Sequence, residues 1–276
     1  MSDGASSAPG TTRRQLDLVF SANASGRTWL SQRRVRFPYT IGTPFRLEEG
    51  TGRQTLILQT ASGGLYGGER VSAAIRLEDG AEASIVTPGA TVVHSARDGD
   101  HAEQAFSFEL GRAAKLAFLP RMNTLLPGAR LDLSASVQLS EGAQLLMCEG
   151  FSAHRPAGMT GNFDWLRTRL SVRAPDGKLL LRDGSRIAGD ELAEGLNRGL
   201  TAFGMVLRVA PALTQENRRE AAALAEFFDG TANHHVATTL LRGEAGVLVR
   251  IAATSGGNLD LAFEKIISYL TEQRFD

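Results

Sequence analysis

Leu77-Glu78-Asp79-Gly80-Ala81, Leu110-Gly111-Arg112-Ala113-Ala114 and Leu139-Ser140-Glu141-Gly142-Ala143 are three near copies of one phrase. Their leading leucines lie 33 and then 29 residues apart. Each phrase closes a run of alternating apolar residues, turns through small residues and leads into another such run. Recurrence at roughly 20–50 residues marks stacked supersecondary units. A β-solenoid or stacked-sheet body produces this pattern. So does chance recurrence of Gly-Ala turns in a glycine-rich all-β chain.

Outward from the repeat, the same alternation continues. Leu16, Leu18 and Phe20 define a first strand, and Leu56-Ile57-Leu58 is a short buried run. Leu166, Thr168, Leu170 and Val172 alternate with Arg167, Arg169, Ser171 and Arg173, which places the arginines on one face. Pro175-Asp176-Gly177 then turns the chain into Leu179-Leu180-Leu181, so residues 165–183 read as a hairpin.

Beyond residue 200 the period changes. Residues 201–209 read as a strand. Ala221, Leu224, Ala225 and Phe228 follow helical spacing within residues 214–229, with Gly230 suited to stop the helix. Residues 236–241 and 247–251 read as strands. Leu259, Ala262, Phe263, Ile266, Ile267 and Leu270 define an amphipathic helix with Asn258 as its cap. The expected fold is therefore mainly β. A β-solenoid or stacked-sheet body occupies residues 13–200, after a disordered tail over 1–12. A C-terminal β-α-β-β-α segment, residues 201–276, carries two helices and packs on the body as part of one domain.

Composition narrows the function. Of 276 residues, 30 are Lys or Arg and 30 Asp or Glu, so the formal net charge is zero. That argues against general nucleic-acid or anionic-membrane binding. Only three of the basic residues are Lys (Lys115, Lys178, Lys265), a bias that scattered arginines in a GC-rich genome explain. The single cysteine, Cys148, excludes an intrachain disulfide and a Cys-rich zinc site. No apolar run approaches the ~18 residues of a membrane span. The expected compartment is cytoplasmic.

The chemistry-bearing motifs are mostly absent. Ser62-Gly63-Gly64-Leu65-Tyr66-Gly67-Gly68-Glu69-Arg70 is glycine-rich, but Glu69-Arg70 stands where a phosphate loop needs Lys-Ser/Thr. Gly63, Gly64, Gly67 and Gly68 read instead as a structural loop, allowing positive φ and close backbone approach. No GxSxG elbow or HExxH pair occurs. The five histidines (His94, His101, His154, His234, His235) show no ligand spacing, and His234-His235 on a strand face opposite sides. Cys148-Glu149 with His154 forms at most a loose metal set, against the reading of a buried cysteine at a strand end. A polysaccharide hydrolase would need paired carboxylates in an aromatic-lined groove; the chain has only two Trp, Trp29 and Trp165. A binding or scaffold protein fits these residues better than an enzyme.

Several phrases, in order and spacing, resemble the urease accessory protein family UreD (UreH). They are Gly63-Gly64-Leu65-Tyr66-Gly67-Gly68-Glu69, then Val86-Thr87-Pro88-Gly89-Ala90, then Phe118-Leu119-Pro120 with Pro127-Gly128-Ala129, and Glu149 ahead of His154-Arg155-Pro156. The chain departs from that pattern in four places, one being His94-Ser95 where the family commonly has Phe/Tyr-Arg-Ser. Glu69 replaces an Asp, His154 replaces a Gly, and Gly158-Met159-Thr160-Gly161-Asn162 stands where Gly-Glu is usual.

The resemblance implies a non-enzymatic scaffold for urease maturation. Such a scaffold docks the urease apoprotein on one side and UreF on the other, with the GTPase UreG held through UreF. Ni²⁺ would be routed through internal passages, in transit and without a tightly bound cofactor. Carboxylates suit such exchangeable steps, whereas a His/Cys cage would trap the ion. Glu69 and Asp183 stand at acids of the family pattern, and Glu149 is a third candidate by position. Each has a plain structural reading as a solvated or salt-bridged carboxylate. The alternatives are a β-solenoid interaction module, or a carbohydrate-active enzyme, with no part in metal delivery.

Overall fold

The computed structural model describes residues 14–47, 51–97, 99–195, 199–227 and 233–272. The expected tail over residues 1–12 lies outside them. So do Phe228, Asp229 and Gly230 at the expected end of the first C-terminal helix.

The strands run β1 (Leu16–Ala22), β2 (Thr28–Val35), β3 (Tyr39–Ile41), β4 (Gln54–Thr60), β5 (Arg70–Leu77) and β6 (Glu82–Val86). They continue with β7 (Thr91–Val93), β8 (Ala102–Leu110), β9 (Lys115–Leu119), β10 (Asn123–Leu125), β11 (Arg130–Leu139) and β12 (Gln144–Ala153). Next come β13 (Trp165–Arg173), β14 (Leu179–Ala188) and a short helix α1 (Gly189–Gly195). The C-terminal part is β15 (Ala202–Val209), α2 (Thr214–Phe227), β16 (His234–Leu240), β17 (Gly246–Ala253) and α3 (Gly256–Glu272).

These strands form two layers. One has the order β14-β13-β11-β8-β5-β1-β2, the other β16-β17-β15-β12-β9-β6-β4-β3. The chain alternates between them, and the repeated phrases are the corners where it crosses. Leu77, Leu110 and Leu139 stand in register on parallel β5, β8 and β11. Glu82, Lys115 and Gln144 stand in register on β6, β9 and β12. The recurrence is thus a real structural period, and the body is solenoid-like. Gly80, Ala113 and Gly142 occupy the same corner position, and all three have positive φ.

Stacking puts like residues in rows. Leu18, Ile75, Phe108, Val137 and Val172 form one buried row across five parallel strands. Leu56, Ile85, Phe118 and Met147 form a facing row in the other layer. Each such side chain contributes about 1.5–3 kcal/mol by leaving water. The predicted hairpin is present as β13 and β14, with Arg167, Arg169 and Arg173 on the exposed face.

The C-terminal segment has the predicted β-α-β-β-α order. β15 pairs antiparallel with β12, so the second sheet continues into β17 and β16. The other face of this sheet buries a second cluster: Leu146, Cys148, Val206, Val249 and Ile251 under Leu224, Leu259, Ala262, Phe263 and Ile266 of the helices. Two details differ from expectation. Helix α3 begins at Gly256, and its capping oxygen is Ser255 Oγ, which accepts from Asn258 N at 3.2 Å. Asn258 instead donates through Nδ2 to Thr254 Oγ1 at 2.8 Å. Cys148 lies inside β12 rather than at a strand end.

Candidate functional site

The second sheet is interrupted at two neighbouring points. β6 and β7 are separated by Thr87-Pro88-Gly89-Ala90, and β9 and β10 by Pro120-Arg121-Met122. Proline cannot donate to a ladder, so each phrase breaks its strand. Thr87 Oγ1 accepts from Arg121 N at 2.8 Å and ties the two breaks together. The ladder from β9 to β12 therefore ends at Met147, and that from β10 begins at Phe151. Between these points Cys148, Glu149 and Gly150 border a cavity of about 440 Å³ between the layers. Tyr39, Thr60, Gln104, Phe106 and Phe118 are among its other walls.

A second cavity, also of about 440 Å³, opens on the far side of Glu149. It lies between β13–β14 in one layer and β15, β17 and β16 in the other. Thr168, Asp183, Ser185, Phe203, His235 and Arg250 contribute to its wall. Glu149 is common to both cavities. Strand alternation explains its direction. Met147 and Phe151 belong to the interlayer core while Leu146 and Cys148 face the helices, so Glu149 points between the layers.

The backbone beside Glu149 is held by a glycine pair. Gly150 and Gly204 are direct partners across β12 and β15, and the Phe263 ring of α3 fills the space over them. A Cβ on Gly204 would sit 2.4 Å from Glu149 O and 2.7 Å from Phe263 Cζ. Only glycine allows that approach.

Register brings the charges together. Glu149 pairs with Met205, and Met205 with Arg250. Arg250 reaches across to the other layer and forms an ion pair with Asp183. The Glu149 carboxylate, by contrast, makes no hydrogen bond or ion pair among the described residues. Burial, reinforced by the negative charge of Asp183, pushes it up to about 8, with Arg250 opposing. An unpaired carboxyl in such surroundings stays mostly protonated at neutral pH. Perturbed acids of this kind concentrate at functional sites.

The remaining candidates separate. Glu69 lines neither cavity. Its carboxylate turns back on its own loop, where Oε2 accepts from Tyr66 N at 3.0 Å. That loop walls the first cavity through Ser62, Gly63 and Gly64. Of the four loop glycines, Gly64 and Gly68 have positive φ. Gly64 (φ +141°) lies so close to the next turn of chain that a Cβ would stand 2.2 Å from Val92 O. Gly67 packs against Ala96, and Gly63 O meets His94 Nε2 at 3.1 Å. Cys148 is sealed: its thiol bonds Pro120 O at 3.3 Å, and burial pushes it up to about 12. His154 is exposed, so no metal set forms with Cys148 and Glu149. His235 lines the second cavity, whereas His234 on the opposite face is held low by burial and by Lys265.

Both chambers are walled mainly by apolar surface, and most of their polar side chains offer oxygens. No group of three or more His, Cys, Asp or Glu side chains able to hold a metal ion occurs among the described residues. Two carboxylates with hydroxyls suit a divalent cation that visits and leaves. Sequence reasoning did not find Arg250. The available signal was a lone charge in the apolar strand Gly246–Ala253.

Comparison with known proteins bears on what this arrangement serves. A sequence model described as UreD urease accessory protein matches residues 12–276. A protein of Bradyrhizobium sp. named urease accessory protein UreD 1 is 33% identical over 243 residues, covering 88% of this chain and 85% of its own. One of the same name from Methylorubrum populi is 34% identical over 271 residues, covering 96% and 90%. A third, from Pseudomonas syringae pv. syringae, is 31% identical over 250 residues, covering 89% and 87%.

Proposed function

The chain belongs to the UreD urease accessory protein family, and from that premise we propose that it is a scaffold for urease maturation that routes Ni²⁺ toward the urease active site. It works without catalysis of its own, docking the urease apoprotein and UreF, with UreG reached through UreF. It acts in the cytoplasm, and nickel is cargo rather than a resident cofactor. Among the described residues no helix is long and apolar enough to cross a membrane.

The observation that carries the routing is the position of Glu149, a residue that lines two cavities at once. An ion entering either chamber meets the Glu149 carboxyl oxygens on its way to the other. Asp183 offers the next oxygens on the wall of the second cavity. Glu69 acts one step removed, holding the glycine loop that closes the first. The Thr87–Ala90 and Pro120 phrases supply the opening by breaking their strands.

The test is the nickel content and activity of urease purified from cells with a complete accessory set, with and without this chain. Nickel-poor, inactive urease in its absence, rescued by its return, supports the proposal. Full loading without it refutes the proposal.

A further inference from the structure

Glu149, Asp183 and Arg250 line one cavity, and Arg250 already holds Asp183 there in an ion pair. Its ion pair with Asp183 spans the second cavity from one layer to the other. Its positive charge also opposes the upward push that burial and Asp183 exert on the Glu149 carboxyl. The two ends of the pair differ in setting. The Asp183 side chain is 18% exposed, while that of Arg250 is 53% exposed. The guanidinium therefore has solvent to move into, and the carboxylate stays behind in the wall.

We propose that Arg250 is a displaceable counter-ion that keeps the Glu149–Asp183 pair weak toward divalent cations, so that an arriving ion is passed on rather than held. This rests on the routing reading above and adds the residue that sets its affinity. With Arg250 in place, a cation entering the pair must overcome its repulsion and displace it from Asp183. When the ion departs, the returning guanidinium re-forms the ion pair and clears the site. Without Arg250, the Asp183 carboxylate and the Glu149 oxygens face a dication unopposed in a partly desolvated cavity, where attraction is far stronger than in water. The site then becomes a trap. In the exchange one cation replaces another at Asp183, and the Glu149 carboxyl gives up its proton to solvent as the ion arrives and takes one back as it leaves.

The test is equilibrium dialysis of the full chain against Ni²⁺ alone, at fixed pH and salt. The expected result is weak binding by the natural chain and binding tighter by at least about tenfold in Arg250→Gln. Arg250→Met keeps the apolar stem of the side chain and is the second neutral variant; it should agree. The gain should vanish in Arg250→Gln combined with Asp183→Asn. Equal or weaker binding by folded Arg250→Gln and Arg250→Met overturns the proposal, and so does a gain that survives the Asp183 change. Nickel loading of urease is read separately. If Arg250→Gln traps Ni²⁺ yet urease loads normally, the counter-ion role stands and the routing reading fails.

Discussion

Glu149→Gln should stabilise the protein, increasingly so as pH rises. The carboxyl lies at about 8 in the folded chain against an ordinary 4.5. A carboxyl raised by folding favours the folded state when protonated, so its cost is absent below the ordinary value. The cost grows through the interval and is complete above the folded value. That interval spans about 3.5 pH units at about 1.4 kcal/mol each, an upper bound of about 5 kcal/mol. Solvent reaching the adjoining cavities screens the charge, and the glutamine amide has its own need for partners. We expect about 2–3 kcal/mol at about pH 9 and under about 1 kcal/mol at about pH 5. At about 2 °C per kcal/mol for a chain of this size, the melting temperature should rise by about 5 °C at the higher pH. Thermal melts of both proteins across that range decide it. Equal melts at high pH, or a gap that fails to widen from acid to alkaline, would refute the reasoning.

Arg208 is 1% exposed and bonds Glu220 at 2.5 Å, Glu216 at 2.7 Å and Asn217 at 2.7 Å beneath α2. Arg208→Ala strands the buried Glu220 carboxylate and should cost about 3–5 kcal/mol in urea denaturation. Ala113 holds positive φ where the equivalent corners have Gly80 and Gly142. Ala113→Gly should therefore gain about 0.5–1 kcal/mol, left-handed strain relieved outweighing the added chain entropy. Gly64→Ala should lose at least about 2 kcal/mol, because its Cβ meets Val92 O; the same melts would show it. Ala252→Phe fills the second cavity from a half-buried position and should keep the fold, by circular dichroism, while urease gains less nickel.

Much of the fold was legible because its signals are local. The corner phrases encode the stack, since each needs a small residue at one position and a buried alanine at the next: Ala81, Ala114 and Ala143 are each at most 1% exposed. The C-terminal helices were equally plain from their apolar spacing. What stayed hidden depends on neighbours distant in sequence. β1 pairs with β5 across β2, β3 and β4, which no local pattern announces. The cap of α3 was misplaced because Ser255 and Asn258 are both capping residues, and only geometry separates them.

The site was half legible for the same reason. The family resemblance put Glu69 and Asp183 foremost and Glu149 third, yet Glu149 and Asp183 line one cavity while Glu69 stays in its own turn. Motif position fixes where an acid lies along the chain, while the pairing of β12, β15 and β17 fixes what it meets. The better clue was chemical. Glu149, Arg208 and Arg250 are lone charges inside apolar strands. Burying a charge is costly unless it is paired or used. Arg208 and Arg250 prove to be paired, Arg250 with Asp183, while Glu149 stands where the two cavities adjoin.

The central claim is that nickel passes the Glu149 carboxylate. Its most direct test is the nickel content of urease matured with the Glu149→Gln chain, at natural abundance and still co-purifying with urease. The account predicts a several-fold fall in nickel per urease from a protein that is no less stable than the original. Full nickel loading under those conditions would contradict it.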